Sequence, residues 1–258
     1  MGSAGDLPTP AVVLRTRPLR EADLVVILLT PGRGKLDCVA RGARRSRKRF
    51  PGGLPTGARG EATLGNPRGS LIPLEQFSSS FDHSGLGRNL ESFAYVNYLC
   101  ELGDRLITGS APDPTAFALL CEAIEAALAQ PEAGLLRRFE LGLLDDLGFL
   151  PSLTDCGVCG NPAMPGPELA FSGERGGVLC LAHGRGASTM PRAVIELAEA
   201  LRQGGGEGRS ADEDPQVRRR LRDLCVALIQ PHLRSPLRSL EFFKMATSGP
   251  RDFNNDSE

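Results

Sequence analysis

The hydrophobic pattern of the chain changes character near residue 80. Before that point, apolar residues come in five short or alternating runs that are separated by turn-forming segments such as TPGRGK and GNPRGS. The runs are AVVLRTR, DLVVILLT, KLDCVARG, GEATLG and SLIPLEQF. Short runs between glycine- and proline-rich turns are typical of β-strands. They predict a small barrel, and a five-stranded OB-fold barrel fits both the strand number and the length, although periodicity alone also allows an SH3-like barrel.

After residue 85 the apolar positions recur at helical spacing. The spacing predicts three amphipathic helices joined by short connections, which is typical of a helical bundle, and three further helices towards the C-terminus. Asp113 is one of three candidate N-caps for the second helix, and Pro131 closes that helix. The six predicted helices cover residues 86–108, 110–130, 132–148, 191–203, 216–233 and 235–246.

The succession of patterns predicts an α+β multidomain protein. An OB-fold barrel over residues 1–80 precedes a helical bundle domain, which is formed by 81–150 and 187–245. A cysteine-containing, zinc-ribbon-like motif at 151–186 is inserted into this bundle. The glycine-rich stretch 204–215 is predicted to be a mobile linker, and residues 246–258 are predicted to form a disordered tail.

Two ligand pairs mark the inserted motif. They are CGVCG at 156–160 and CLAH at 180–183. A two-residue gap lets both donor atoms of a pair point at one ion, and the glycines of the first pair permit the tight turn that this requires. The separation of the pairs lies in the range of zinc ribbons. We therefore predict one closed, structural Zn²⁺ site on Cys156, Cys159, Cys180 and His183.

Two other interpretations of these four residues stay open. A redox-active C-x₂-C pair is disfavoured because no βαβ pattern surrounds it, and a ligand set that no longer binds metal is the second alternative. Because the segment is poor in apolar residues, we expect the metal to supply its folding free energy. The other cysteines lie in apolar, periodic sequence, which predicts buried thiols at Cys38, Cys100, Cys121 and Cys225.

Charge is distributed unevenly along the chain. The formal net charge is −1, but residues 1–80 contain 13 Lys and Arg against 6 Asp and Glu, so the remainder carries the compensating negative charge. The strongest concentration is RGARRSRKRF at 41–50, preceded by Lys35. Clustered guanidinium groups bind phosphate, so this stretch predicts a nucleic-acid contact. The predicted contact residues are Lys35, Arg41, Arg44, Arg45, Arg47, Lys48 and Arg49.

Aromatic side chains are scarce in the predicted barrel. Residues 1–80 contain only Phe50 and Phe77, and barrels that grip single strands usually stack bases on aromatic rings. We therefore expect binding to depend on phosphates, with little sequence preference. Of the two rings, Phe50 is the candidate for base stacking, although a role in the core is favoured.

Three stretches together resemble the bacterial RecO family of recombination mediators. The opening VVLRTRPLREADLVVILLTPGRGKLDCVARGARRSRKRF is similar to the family's N-terminal barrel, and RRFELGLLDDLGFLPSLTDCGVCG with GGVLCLAHG resembles its helix and zinc segment. LRSLEFFK resembles the last helix. The resemblance departs from the family at His183, because the fourth zinc position there is usually cysteine.

The resemblance implies a function without catalysis. Members of the family bind single- and double-stranded DNA, anneal complementary strands, join RecR, engage the single-stranded-DNA-binding protein SSB and help to load RecA onto SSB-coated DNA. By the same resemblance, Lys35 to Arg49 would contact DNA, and the four Cys and His residues match the zinc positions. A bacterial cytoplasmic, nucleoid-associated location without membrane attachment is expected.

Two other functions compete with this one. A zinc-ribbon transcription or translation factor would use the same basic barrel on RNA or duplex DNA, whereas a metal-dependent nuclease is disfavoured by the closed ligand set.

No nucleophile motif accompanies His83 or His232. TPGRGKL lacks the spacing of a phosphate-binding loop and is interpreted as a hairpin turn. We therefore expect no enzyme activity.

Overall fold

The computed structural model describes residues 8–67, 69–80, 89–204 and 214–247. By contacts the chain divides into two compact units, Met1–Pro131 with Ser235–Glu258, and Glu132–Arg234. This grouping does not test independent folding, so the domain boundaries expected from the sequence stay a prediction. Most of the expected linker and all but the first two residues of the expected tail lie outside the described residues.

Five strands of the first unit close into a barrel with the order β1-β2-β3-β5-β4. Neighbours are antiparallel except for β3 and β5, which are parallel, and β4 closes the barrel against β1. This arrangement is an OB-like barrel, so the predicted fold class is confirmed. The strands are β1 (Thr9–Pro18), β2 (Leu24–Thr30), β3 (Gly34–Ala40), β4 (Arg59–Leu64) and β5 (Ile72–Ser79).

The barrel interior follows from the alternation of the strands. In β3, Leu36, Cys38 and Ala40 are buried, while the intervening Asp37 and Val39 are more accessible. Such alternation is what a strand shows when one face lines a core. The interior cluster contains, among others, Val13, Val26, Leu28, Leu64, Leu74 and both phenylalanines of the barrel.

The outward faces of β1 and β2 are buried as well. Val12 and Leu14 of β1, and Val25, Ile27 and Leu29 of β2, are almost fully inaccessible to solvent. Helix α1 (Leu90–Leu106) packs against β1, and α2 (Pro114–Ala129) contacts β2. Burial on both faces explains why β2 is a continuous apolar run and does not alternate.

The helices of the first unit are capped by side chains. Asn89 accepts hydrogen bonds from the amides of Glu91 and Ser92, and Asp113 accepts one from Ala116, which confirms Asp113 as the cap of α2. The last described helix, α6 (Ser239–Thr247), packs on α1. The amide of Ser239 donates to the Glu101 carboxylate at 2.7 Å, so α1 supplies an anion to the N-terminus of α6.

The second unit combines three helices with a small sheet. Helices α3 (Ala133–Asp146), α4 (Arg192–Arg202) and α5 (Pro215–Ile229) pack against one another. Three antiparallel strands in the order β7-β6-β8 precede α4. They are β6 (Glu168–Ser172), β7 (Gly177–Leu179) and β8 (Ser188–Pro191). The sequence pattern predicted neither β6 nor β8.

No helix among the described residues is long and apolar enough to cross a membrane.

Candidate metal centre and nucleic-acid interface

The two ligand pairs of the second unit meet at one point. Their donor atoms, from Cys156, Cys159, Cys180 and His183, all lie within 4.8 Å of one another. The first pair precedes β6, and the second follows β7 directly. The hairpin of β6 and β7 therefore returns the chain to the first pair and brings together residues that are about twenty positions apart.

The distances between the donor atoms fit a tetrahedral ion. The sulfurs of Cys159 and Cys180 are 3.8 Å apart, and Nδ1 of His183 lies 3.3 Å from the Cys180 sulfur and 3.6 Å from the Cys156 sulfur. With Zn–S bonds of about 2.3 Å and Zn–N bonds of about 2.0 Å, tetrahedral geometry requires about 3.8 Å between sulfurs and about 3.5 Å between sulfur and nitrogen. The residues present therefore fit Zn²⁺, and His183 would bind it through Nδ1.

Backbone amides favour the thiolate form of two ligands. A hydrogen bond from the Cys180 backbone, followed by smaller ones from Val158 and Cys159, lowers the pKa of the Cys156 thiol to about 5. The backbone N–H of His183 is the largest cause that lowers the pKa of Cys180. Because metals bind the thiolate, the local backbone prepares both residues for coordination.

The two glycines of the first ligand pair are required for different structural reasons. Gly160 adopts a positive φ of 72°, which ends the turn at a conformation that other residues rarely adopt. A Cβ atom on Gly157 would lie 2.1 Å from the carbonyl oxygen of Gly176. Gly157 is therefore required by close contact with the turn before β7, and only Gly160 by backbone conformation.

Six of the seven predicted nucleic-acid contacts share one exposed loop after β3. Residues 41–49, called the basic loop below, form consecutive turns. All of its cationic side chains are exposed to solvent. They belong to Arg41, Arg44, Arg45, Arg47, Lys48 and Arg49.

The basic loop is held at both ends. At its start, the Gly42 amide donates to Oδ1 of Asp23 at 2.8 Å. At its end, Phe50 is 2% exposed and belongs to the interior cluster of the barrel, while Phe77 donates its amide to the Arg49 carbonyl oxygen at 3.0 Å. The favoured role of Phe50 in the core is confirmed, and the loop presents its charges from a fixed position.

Lys35 lies apart from the other six. It is the second residue of β3. Because a strand rises about 3.3 Å per residue, Lys35 lies about 20 Å from Arg41 along the strand direction. Its Nζ is 3.6 Å from Oδ1 of Asp104, and burial lowers its pKa. The structure therefore does not bring Lys35 together with the basic loop, and the prediction that it contacts DNA stays untested.

The sequence interpretation passed over the β1–β2 turn, residues 19–23. The Arg44 amide donates to the Ala22 carbonyl oxygen at 3.1 Å, so this turn and the basic loop are neighbours. Arg17 and Arg20, at the end of β1 and in the turn, are exposed. The arginine-rich segment RTRPLRE carried the signal, but its closeness to residue 44 depends on the pairing of β1, β2 and β3.

Replacement of Phe50 tests how the basic loop is anchored. Phe50→Leu should lower the free energy of unfolding by about 1–2 kcal/mol because it leaves part of the core unfilled. It should also speed tryptic cleavage within residues 41–49, since the loop loses its fit to the core. Chemical denaturation and timed proteolysis measure the two effects, and unchanged loop cleavage would contradict the anchoring role.

Comparison with known proteins agrees with these features. The family model described as Recombination protein O N terminal matches residues 6–81, and the one described as Recombination protein O C terminal matches residues 87–241. The chain belongs to the RecO family. This RecO-family chain is thus matched over the barrel, the metal centre and the helices of both units.

Individual relatives agree with the family assignment. The protein named DNA repair protein RecO of Anaeromyxobacter sp. (strain Fw109-5) is 35% identical over 244 residues, which cover 92% of this chain and 94% of the relative. Proteins of the same name from Geobacter metallireducens and Myxococcus xanthus are 34% and 33% identical, and the matches cover 92% and 90% of this chain and 96% and 94% of those relatives. Membership of this family supports a role in DNA repair and recombination.

The four remaining cysteines lie outside the metal centre. Cys38, Cys100, Cys121 and Cys225 are buried free thiols, as their apolar sequence context predicted. Burial raises the pKa of Cys38 to about 12, and that of Cys121 to about 11. These thiols are therefore protonated near neutral pH and pack as small apolar groups.

Proposed function

We propose that this chain is a recombination mediator that binds single- and double-stranded DNA through the basic loop. One observation carries this proposal: six exposed Arg and Lys side chains lie within nine residues, on a loop fixed to an OB-like barrel. Such a cluster suits the phosphate backbone, because each neutralised phosphate releases condensed counterions. Recognition of bases is a smaller part of the proposal. Both phenylalanines of the described barrel are in its interior, so they offer no stacking surface.

Strand annealing follows from the same chemistry. Two complementary strands repel each other through their phosphates, and a cationic surface that holds both lowers this repulsion. Because contacts to phosphates carry no sequence information, the protein can serve any pair of complementary strands. The chain's own contribution is to concentrate and screen the strands, while base pairing selects the partner.

The proposal includes the protein partners that the family resemblance implies. The chain would act with RecR and with SSB-coated DNA and so assist the loading of RecA, in the bacterial cytoplasm at the nucleoid. We propose no catalytic turnover. The four-residue metal centre would hold one Zn²⁺ in a structural role, since four protein ligands leave no coordination position for a substrate.

Salt-dependent binding and annealing test the proposed function. The affinity for single-stranded oligonucleotides, measured by fluorescence anisotropy, should fall with a log–log salt slope of about −0.7 for each phosphate neutralised. The protein should also speed the annealing of complementary strands, both naked and SSB-coated. A slope near zero would contradict phosphate binding. Binding without annealing would favour the alternative of a zinc-ribbon transcription or translation factor, and cleavage with Mg²⁺ or Mn²⁺ would indicate a nuclease.

A further inference from the structure

The β1–β2 turn contacts the basic loop through two acidic residues. Glu21 forms an ion pair with Arg45 through its carboxylate, and its backbone carbonyl oxygen accepts a hydrogen bond of 3.4 Å from Nη1 of Arg44. Asp23 accepts the hydrogen bond from the Gly42 amide. Two anions therefore lie beside the most cationic segment of the chain, and each has a different kind of contact with it.

The pair of Glu21 and Arg45 is open to solvent. The Arg45 side chain is 70% exposed and the Glu21 side chain is 85% exposed. Ion pairs at such exposure contribute little to the stability of a protein, because water and salt screen them. The fold therefore does not depend on this pair, and a phosphate oxygen can take the place of the carboxylate at the Arg45 guanidinium.

Asp23 acts on the backbone of the basic loop and not on its charges. Its carboxylate receives the Gly42 amide at the point where the chain leaves β3, and the turn that holds it is closed by a hydrogen bond of 3.0 Å between the Leu19 amide and the Asp23 carbonyl oxygen. A side-chain acceptor of this kind fixes the first residues of a loop. Asp23 is thus a positioning residue.

We propose that the β1–β2 turn sets how tightly the basic loop holds DNA, with Asp23 fixing the loop and Glu21 competing with phosphate for Arg45. The inference rests on the proposed function, because it assigns a regulator to the same surface. Displacement of Glu21 by a phosphate leaves a free carboxylate that attracts a cation from solution. The net release of counterions on binding is therefore smaller by about one than the number of arginines suggests. Competition by Glu21 lowers the affinity of the basic loop for DNA, which helps annealed strands to dissociate.

Neutralisation of Glu21 tests the competition. Glu21→Gln should tighten binding to a single-stranded oligonucleotide about two- to fivefold, and should make the log–log salt slope steeper by about 0.7. Glu125→Gln is the matched control, because Glu125 is also an exposed carboxylate paired with an arginine, Arg59, which lies outside the basic loop. The control should change neither quantity. An equal effect of the two substitutions would contradict the proposal.

Two further sets of variants separate the roles. In an Arg45→Gln background, Glu21→Gln should have no additional effect on affinity or slope, because the guanidinium with which Glu21 pairs is absent. At position 23, Asp23→Asn and Asp23→Ala remove the same charge, but only asparagine keeps an acceptor for the Gly42 amide. Asp23→Ala should bind DNA about three- to tenfold more weakly than Asp23→Asn and should be cleaved faster by trypsin within the basic loop.

The outcomes distinguish this inference from the proposed function. If charge reversal in the basic loop abolishes binding but Glu21→Gln leaves affinity and slope unchanged, Glu21 does not compete with phosphate. The assignment of DNA binding to the basic loop would then remain valid. If charge reversal also has no effect, the proposed DNA surface itself is wrong. Equal affinities of Asp23→Asn and Asp23→Ala would overturn the positioning role of Asp23.

Discussion

Removal of zinc is expected to unfold the segment from Ser152 to Pro191 in the second unit. Structural zinc sites have apparent binding free energies of about 10–16 kcal/mol, which is comparable to or larger than the total stability of a typical domain, about 5–15 kcal/mol. This segment has few buried apolar side chains, among them Leu153, Leu169 and Val178. We therefore expect a bound metal to supply free energy that the apolar contacts of the segment do not replace.

Metal analysis and hydrogen exchange measure this effect. Purified protein should contain one zinc per chain, and a strong chelator should release it. The Val178 amide, which donates to the Ser152 carbonyl oxygen at 3.0 Å, should then lose its protection, whereas amides of the barrel such as that of Val13 should keep theirs. A zinc-to-chain ratio near zero in a segment that still resists protease would contradict the proposed metal site.

Substitutions of the ligands provide the controls for metal removal. Cys156→Ser and His183→Ala should lose zinc, while His183→Cys should retain it, because a thiolate can occupy the same tetrahedral position. Cys121→Ala is the matched control, since Cys121 is a buried free thiol outside the metal centre. Retention of zinc by His183→Ala would show that another group completes the coordination.

Charge reversal in the basic loop is expected to have the largest effect on DNA binding. Arg44→Glu/Arg45→Glu/Arg47→Glu should weaken the affinity for single-stranded DNA about 100-fold or more, because three attractions become repulsions. The salt slope should become shallower by about 1.4, at about 0.7 for each of two net counterions, because displacement of Glu21 already cancels the contribution of Arg45. Annealing of complementary strands without SSB should fall to the rate measured in the absence of the protein.

A second triple variant makes this experiment specific. Arg219→Glu/Arg220→Glu/Arg222→Glu changes the net charge by the same amount at exposed positions of α5. It should bind DNA within a few fold of the unmodified protein. All six arginines are exposed, so both variants should keep the midpoint of thermal unfolding within a few degrees. Equal losses of affinity in the two variants, or normal annealing by the first, would contradict the assignment of DNA binding to the basic loop.

The elements of the fold were largely predictable because their signals are local. Five apolar runs between turn residues correspond to the five strands, and the periodic segments after residue 85 correspond to the six helices. Short strands such as β6 and β8 were not predicted, because a few residues in a glycine-rich segment carry too little pattern. β8 pairs with β6 across the segment that contains β7 and the second ligand pair, so no local pattern indicates this pairing.

For the candidate sites, too, some features have a local sequence signal and others depend on tertiary contacts. Residue type and short spacing were enough to identify the candidate metal ligands and the six adjacent cations. Only the tertiary structure separated Lys35 from those cations, placed Phe50 inside the barrel, and brought Glu21 and Asp23 to the basic loop. The reason is physical. The contacts of Glu21 and Asp23 with the basic loop depend on the order and register in which β1, β2 and β3 pair, and strand pairing joins residues whose separation along the chain carries no local signal.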